Sequence, residues 1–290
     1  MVLTEYTSGG PMASSYNITL VFQGSQWSQD LQQAFISASD YLTSIIIGDI
    51  ENTFADFGDG NGFRQVDDLE ISATLGPIDG QGGVLAQFGP TFIRPETALP
   101  IYGEMTFDGA DAQVLFDGDV ASGANRWTSV VMHEMLHVIG FGSLWETMGL
   151  INNIGTTAHP DFRYTGQSGV YEYQSLYPAI YASDIDAYAG VPVESSSGSS
   201  GTDASHWDEA TFDDELMTGY IDSNNTVSNM TIAVLKDMGY ATTYAPSCFC
   251  TGTLIQTPNG FKTIETLSAQ ESVVRLDRGD QKNRLVSVET

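Results

Sequence analysis

The residues of this chain best suited to metal binding or catalysis are the two histidines of the run HEMLH, His133 and His137. Four positions separate them, so on a helix both imidazoles lie on one face about one turn apart and can reach a single metal ion. Glu134 lies beside the first histidine, where its carboxylate could take a proton from water and deliver it to a leaving amine. The pattern predicts a hydrolytic zinc site. The alternative is coincidence, because a five-residue pattern with three fixed positions also arises by chance on ordinary helices.

A catalytic zinc ion needs a third protein ligand, with the fourth position left for water. The remaining histidines of the chain, His159 and His206, are the candidates. His159 precedes Pro160 in a polar stretch, and this setting favours a surface residue over a ligand.

The sequence after the second histidine resembles that of a known group of peptidases. Gly140 follows His137 by three positions, as in metzincin metallopeptidases, but Ser143 stands where most metzincins have their third histidine. The chain resembles the leishmanolysin-type members instead, in which a long insertion precedes a third histidine in a Ser-His-Trp context. Here residues 205–207 are SHW, and residues 214–219 (DELMTG) resemble the family's ELM segment and methionine turn. The resemblance covers roughly residues 17 to 243 and includes stretches similar to bacterial members.

This resemblance implies a role for each of several residues. The zinc ligands would be His133, His137 and His206. Glu134 would be the general base, Met217 would form an apolar floor beneath the metal, and Gly140 would shape the turn after the helix. Tyr220 is a candidate donor to the developing oxyanion, but its spacing matches the family imperfectly, and packing is the favoured interpretation.

Hydrophobic periodicity predicts the elements that must position these residues. Strands are expected at residues 17–22, 69–75 and 101–107, an amphipathic helix over about 27–45, the helix of the HEMLH run over 124–139, and a last helix over 228–240. Residues 56–62 (DFGDGNG) predict a plain turn, with calcium binding as the alternative, and residues 195–201 (SSSGSSG) predict a surface loop.

The fold implied is α+β and metzincin-like. We expect a twisted mixed sheet with a backing helix and the zinc-binding helix, followed after Gly140 by an irregular lower subdomain. Protein or peptide substrates would lie extended across the cleft between the two. If the strand at 101–107 is the sheet's edge above the zinc, substrate would add to it as a further strand.

Composition narrows the choice of partners and location. The chain has 37 acidic and 10 basic residues, a formal charge of -27, which repels nucleic acid. No stretch of about 20 apolar residues predicts a transmembrane segment. Residues 1–11 lack the features of a cleavable signal peptide. The acidic, glycine-rich composition favours a secreted bacterial protein with a signal elsewhere, and a cytoplasmic location is the alternative.

The charge is uneven along the chain and predicts a domain boundary. Residues 1–245 contain 32 acidic and 5 basic side chains, whereas residues 246–290 contain 5 of each. We therefore expect a metallopeptidase domain over 1–245 and a separate piece over 246–290.

The C-terminal piece begins with CFCTGTLIQTPNG, which resembles the start of a hedgehog/intein (Hint) module. That resemblance makes Cys248 the candidate nucleophile of an acyl shift, with Cys250 as the competing assignment. No histidine follows His206 to protonate the departing amine, so the piece resembles a truncated module, and we expect no self-cleavage by this chain.

Two further functions compete with a zinc endopeptidase. One is a non-catalytic zinc-binding or adhesive domain on the same fold, against which the intact Glu134 argues. The other is a passenger domain of a Hint autoprocessing protein.

Overall fold

The computed structural model describes residues 2–9, 15–58, 60, 62–82, 85–122, 124, 126–195, 201–222, 225–244, 254–258, 260–263, 272–277 and 282–287. The contacts divide the chain into two compact units, Met1–Tyr244 and Ala245–Thr290. Within the described ranges, no helix has the length and apolar character needed to cross a bilayer.

A five-stranded mixed sheet forms the first half of unit 1. Its strands are β1 (Glu5–Ser8), β2 (Ile18–Gln23), β5 (Leu69–Gly76), β6 (Ala86–Ile93) and β7 (Pro100–Asp108), in the order β1-β2-β5-β7-β6. The three central strands are parallel, and β1 and β6 join antiparallel at the two edges. The α+β class and the mixed sheet are thus confirmed.

The edge strand differs from the prediction. The strand expected at 101–107 is the interior strand β7, so the condition for substrate to add to it is not met, and β6 is the edge. The sequence of β6 contains Gly89 and Pro90, which weaken a strand pattern, and the pairing with β7 shifts register after Pro90. Proline is tolerated on an edge strand because one side of that strand has no ladder to complete.

Helix α1 (Gln29–Ile45) backs the sheet. Its N-terminus is capped by Ser28, whose Oγ accepts from the Leu31 amide at 3.1 Å. Phe35 lies at 0% exposure in a cluster of aromatic rings. Its ring neighbours come from the sheet, from the segment before α1 and from the helix of the HEMLH run: Phe22, Trp27, Phe107 and Trp127. This cluster joins the sheet, α1 and that helix into one core.

The helix that contains the HEMLH run is α3 (Arg126–Val138), which follows α2 (Gly109–Ser122). Gly103 of β7 lets it approach the sheet, since a Cβ there would lie 2.5 Å from Val138 Cγ1 and 2.9 Å from the Gly89 carbonyl oxygen. The end of α3 and the edge strand β6 therefore converge on one point of β7.

After α3 the chain forms shorter elements. A three-stranded antiparallel sheet consists of β8 (Ile151–Asn153), β9 (Phe162–Tyr164) and β10 (Val191–Val193). The helices are α4 (Gln167–Leu176), α5 (Pro178–Ser183), α6 (Glu209–Phe212) and α7 (Asn229–Asp237), with a 3-10 turn at Ala187–Ala189. Asp237 at the end of α7 accepts from the Ser168 and Gly169 amides at the start of α4, at 2.8 and 2.9 Å, so these two helices support each other.

The loop with the calcium alternative lies in a small hairpin of β3 (Thr53–Asp56) and β4 (Phe63–Val66). Asp56 Oδ1 accepts from the Gly58 amide at 2.9 Å, as in an ordinary Asx turn. Among the described residues Asp56 belongs to no group of metal-binding side chains. Asp59 and Asn61 of the same loop lie outside the described residues, and the described part of the loop does not support calcium there.

The described residues of unit 2 form two antiparallel hairpins. They are β11 (Leu254–Thr257) with β12 (Gly260–Thr263), and β13 (Ser272–Asp277) with β14 (Lys282–Ser287). Cys248, Cys250 and residues 196–200 of the loop expected at 195–201 lie outside the described residues. The likeness of the second unit to the start of a Hint module stays a prediction.

Candidate metal centre

Three imidazoles from two distant parts of the chain meet in the interior. His133 and His137 lie one turn apart on α3, with their Nε2 atoms separated by 3.1 Å. The Nε2 atom of His206 lies 3.1 Å from that of His133 and 2.9 Å from that of His137. The three side chains are buried, at 6%, 1% and 5% exposure. His159 is exposed and lies outside this cluster.

The other ring nitrogen of each histidine faces a main-chain carbonyl. His133 Nδ1 donates to Leu216 O at 2.8 Å, His137 Nδ1 to Phe141 O at 2.8 Å, and His206 Nδ1 to Thr202 O at 3.0 Å. Because a carbonyl oxygen only accepts, each Nδ1 holds the proton and each Nε2 presents a lone pair. Three lone pairs then face one another without a proton between them, and a bound cation would relieve their repulsion.

The electrostatics of the cluster favour neutral rings. Burial lowers the pKa of His133 to about 3, with the neighbouring His206 adding to the effect. Burial, followed by the other two histidines, holds the pKa of His137 well below its ordinary value, and burial lowers the pKa of His206. Neutral imidazole is the form that binds a metal, so no proton has to leave at pH 7.

The spacing also suits zinc. A tetrahedral zinc ion with Zn–N bonds of about 2.0–2.1 Å separates its nitrogen ligands by about 3.3–3.4 Å. The observed separations of 2.9 to 3.1 Å are within a few tenths of an ångström of that value. The donor set therefore fits a zinc ion with a small outward movement of the rings.

Glu134 is partly buried, and its Oε2 atom has no hydrogen-bond partner among the described residues. Burial raises the pKa of this carboxyl to about 8. A cation held by the adjacent histidine favours the ionised form and acts against this shift.

Two glycines determine how the chain leaves α3. Gly140 has φ +108°, and a Cβ there would lie 2.4 Å from Met238 Cε. Gly142 has φ +70°, and its Cβ would lie 1.9 Å from the carbonyl oxygen of Ser205, the residue before His206. Sequence reasoning identified Gly140 and missed Gly142, for which the available signal was a second glycine two positions later.

Met217 and Tyr220, the other predicted site residues, differ in environment. Met217 is 0% exposed, and its carbonyl accepts from the Trp207 amide at 2.8 Å, so it lies in the packed segment beside His206. Tyr220 is 61% exposed, which places it outside the packed core. No hydrogen bond of the Tyr220 hydroxyl to the histidines is found in the described part of the chain.

A cavity of about 530 Å³ lies beside the histidines, and His137 forms part of its wall. Gly142, Ser143 and Glu146 line one part of the cavity, and the segment before His206 lines another.

Among the described residues a group of Glu209, Asp213 and Asp222 has carboxylate oxygens within 4.8 Å of one another, as does a group of Asp49, Asp67 and Asp68. Clustered carboxylates alone do not establish a bound ion, so neither group supports a calcium site.

Comparison with known proteins agrees with this geometry. A search of curated proteins found no match. A scan against protein families matched the leishmanolysin family over residues 62–247, more than half of the chain and the part that contains all three clustered histidines. The chain therefore belongs to the leishmanolysin family of zinc metallopeptidases.

Proposed function

We propose that this protein is a zinc-dependent endopeptidase whose metal is held by His133, His137 and His206. The observation that carries the proposal is the convergence of three Nε2 lone pairs, at separations of 2.9 to 3.1 Å, in a chain of a metallopeptidase family. Zinc, when bound, supplies Lewis acidity that lowers the pKa of a water molecule and polarises the scissile carbonyl.

Glu134 is the proton carrier in this proposal. Its carboxylate accepts a proton from the attacking water and delivers it to the nitrogen of the leaving amine. Two properties support the assignment: the sequence position next to a ligand, and an Oε2 atom without a hydrogen-bond partner among the described residues.

The edge strand β6 is the candidate binding site for the substrate backbone. It is the outermost strand of the sheet, and its Gly89 lies close to Gly103. The side chain of Val138, the residue after His137, packs against the same Gly103. An extended peptide that adds to β6 is recognised mainly through its main chain, so broad sequence tolerance is expected.

Substitution of Glu134 by Gln tests the assignment and separates the peptidase from a non-catalytic zinc-binding domain. We expect Glu134→Gln to lower the rate of casein hydrolysis by about 10²–10⁴-fold with zinc content unchanged. Glu5→Gln, an exposed residue of β1, is the control and should match the wild type. Survival of casein hydrolysis in Glu134→Gln would refute the role of Glu134.

A further inference from the structure

A buried carboxylate lies next in sequence to a main-chain carbonyl that contacts the histidine cluster. Glu215 is 2% exposed, in the segment between α6 and α7. Its Oε1 atom accepts from Thr231 Oγ1 at 2.5 Å and from the amide of Ser228, the N-cap residue of α7, at 3.3 Å. Its Oε2 atom has no partner among the described residues. Burial of a carboxylate without a counter-charge costs free energy, so stability alone is a weak reason for a glutamate here.

The main chain next to Glu215 holds one of the zinc ligands. The carbonyl of Leu216 accepts from His133 Nδ1 at 2.8 Å, and the Leu216 amide donates to Thr226 O at 2.8 Å. The orientation of the His133 ring therefore depends on where residue 216 lies, and the bonds from Glu215 to α7 fix the residue immediately before it.

The same carboxylate reaches the third ligand through Thr231. The Trp207 indole donates from Nε1 to Thr231 Oγ1 at 3.0 Å, and the Thr231 hydroxyl in turn donates to Glu215. Trp207 is 0% exposed and directly follows His206. One hydrogen-bonded chain thus connects Glu215 to the residue beside His206 as well as to the carbonyl that orients His133.

We propose that Glu215 is a positioning residue of the zinc site, which sets the placement of His133 relative to His206 through the Leu216 carbonyl and the Trp207 indole. This inference rests on the proposed function, because it assumes that the histidines bind zinc. Partners of metal ligands commonly change metal affinity about 10- to 100-fold when they are removed.

The experiment compares two buried glutamates. Glu172 of α4 is also 2% exposed, and it accepts from the Tyr244 hydroxyl at 2.6 Å without a bond to the histidine cluster among the described residues. We expect Glu215→Ala to weaken zinc binding by about 10- to 100-fold and to alter the absorption spectrum of the Co²⁺-substituted protein. Glu172→Ala should lower the unfolding temperature and leave both metal readouts unchanged. Zinc affinity is measured by competition with a chromophoric chelator.

Two further variants keep the test decisive if Glu215→Ala fails to fold. Thr231→Val removes the hydroxyl between Glu215 and Trp207 with little change in volume, and it should weaken zinc binding and shift the Co²⁺ spectrum. Glu215→Gln retains an acceptor for Thr231 and should restore most of the affinity. Wild-type affinity and spectrum in a folded Glu215→Ala, or in Thr231→Val, would overturn the inference. Failure of the wild type to bind zinc would instead refute the proposed function.

Discussion

The close contact between Gly142 and Ser205 gives the sharpest prediction. A Cβ at residue 142 would lie 1.9 Å from the Ser205 carbonyl oxygen, and real Cβ atoms essentially never come within 3.0 Å of another heavy atom. In Gly142→Ala the Ser205 backbone must therefore move by about 1 Å or more, because a main-chain oxygen cannot rotate away as a side chain can. His206 is the next residue and must move with it.

Gly149 provides a matched control for this substitution. Its φ of +67° is close to the +70° of Gly142, but a Cβ there would meet nothing within 4 Å. Alanine at either position carries the same cost of a left-handed backbone, about 1–2 kcal/mol, and only Gly142→Ala adds the clash, about 1–3 kcal/mol. At about 2–4 °C per kcal/mol, we expect Gly142→Ala to unfold about 2–12 °C below Gly149→Ala.

Zinc affinity distinguishes a displaced His206 from a general loss of folding stability. Metal–ligand distances in proteins stay within about 0.2 Å of their ordinary values, so a 1 Å shift of His206 should lower zinc affinity in Gly142→Ala by more than about tenfold. Gly149→Ala should bind zinc as the wild type does. The assays are differential scanning calorimetry and zinc competition. Equal zinc affinity in the two variants would refute the claim that the Gly142 contact places the third ligand.

Three further predictions test the metal, the core and the titration of a buried carboxyl. Chelation should destabilise the zinc-loaded wild type by about 4 kcal/mol at zinc concentrations of about 1,000 times Kd, seen by calorimetry as a drop of about 8–16 °C, and should have a much smaller effect on His206→Ala. Phe35→Ala, which empties the centre of the aromatic cluster, should cost about 3–5 kcal/mol in urea unfolding, whereas Phe54→Ala at 70% exposure should change stability little. Burial raises the pKa of Asp68 to about 6. Its protonated form therefore favours the fold below the unfolded-state pKa near 4, and this contribution is lost as pH rises through about 6. Stability should accordingly fall less between pH 4 and 6 for Asp68→Asn than for the wild type or for the exposed-residue control Glu5→Gln.

The local part of the site was predictable from the sequence. The placement of His133 and His137 on one face follows from the helical repeat and the spacing of four, and neither depends on the rest of the molecule. The core face of α1 followed from its apolar periodicity, and the structure buries Leu31, Phe35, Ala38 and Leu42 as expected. These features are determined by residues within a few turns of one another.

The edge of the sheet was not predictable in the same way. β6 has a sequence weakened by Gly89 and Pro90, and its identity as the outermost strand depends on which strands pair with β7. Strand order is determined by long-range packing, so the sequence left open whether the strand at 101–107 is the edge of the sheet. The role of the edge strand became assignable only when the order of all five strands was known.

The sequence by itself determined that two histidines and a glutamate share one helix, and its resemblance to leishmanolysin-type peptidases selected His206 as the partner. Only the tertiary structure decided how the third ring is held: by the approach of Ser205 to Gly142, by the carbonyls that accept from each Nδ1, and by the link from Glu215 to Trp207. The physical reason is that helical spacing is a short-range property of the chain, whereas the meeting of two segments about 70 residues apart requires the packing of everything between them.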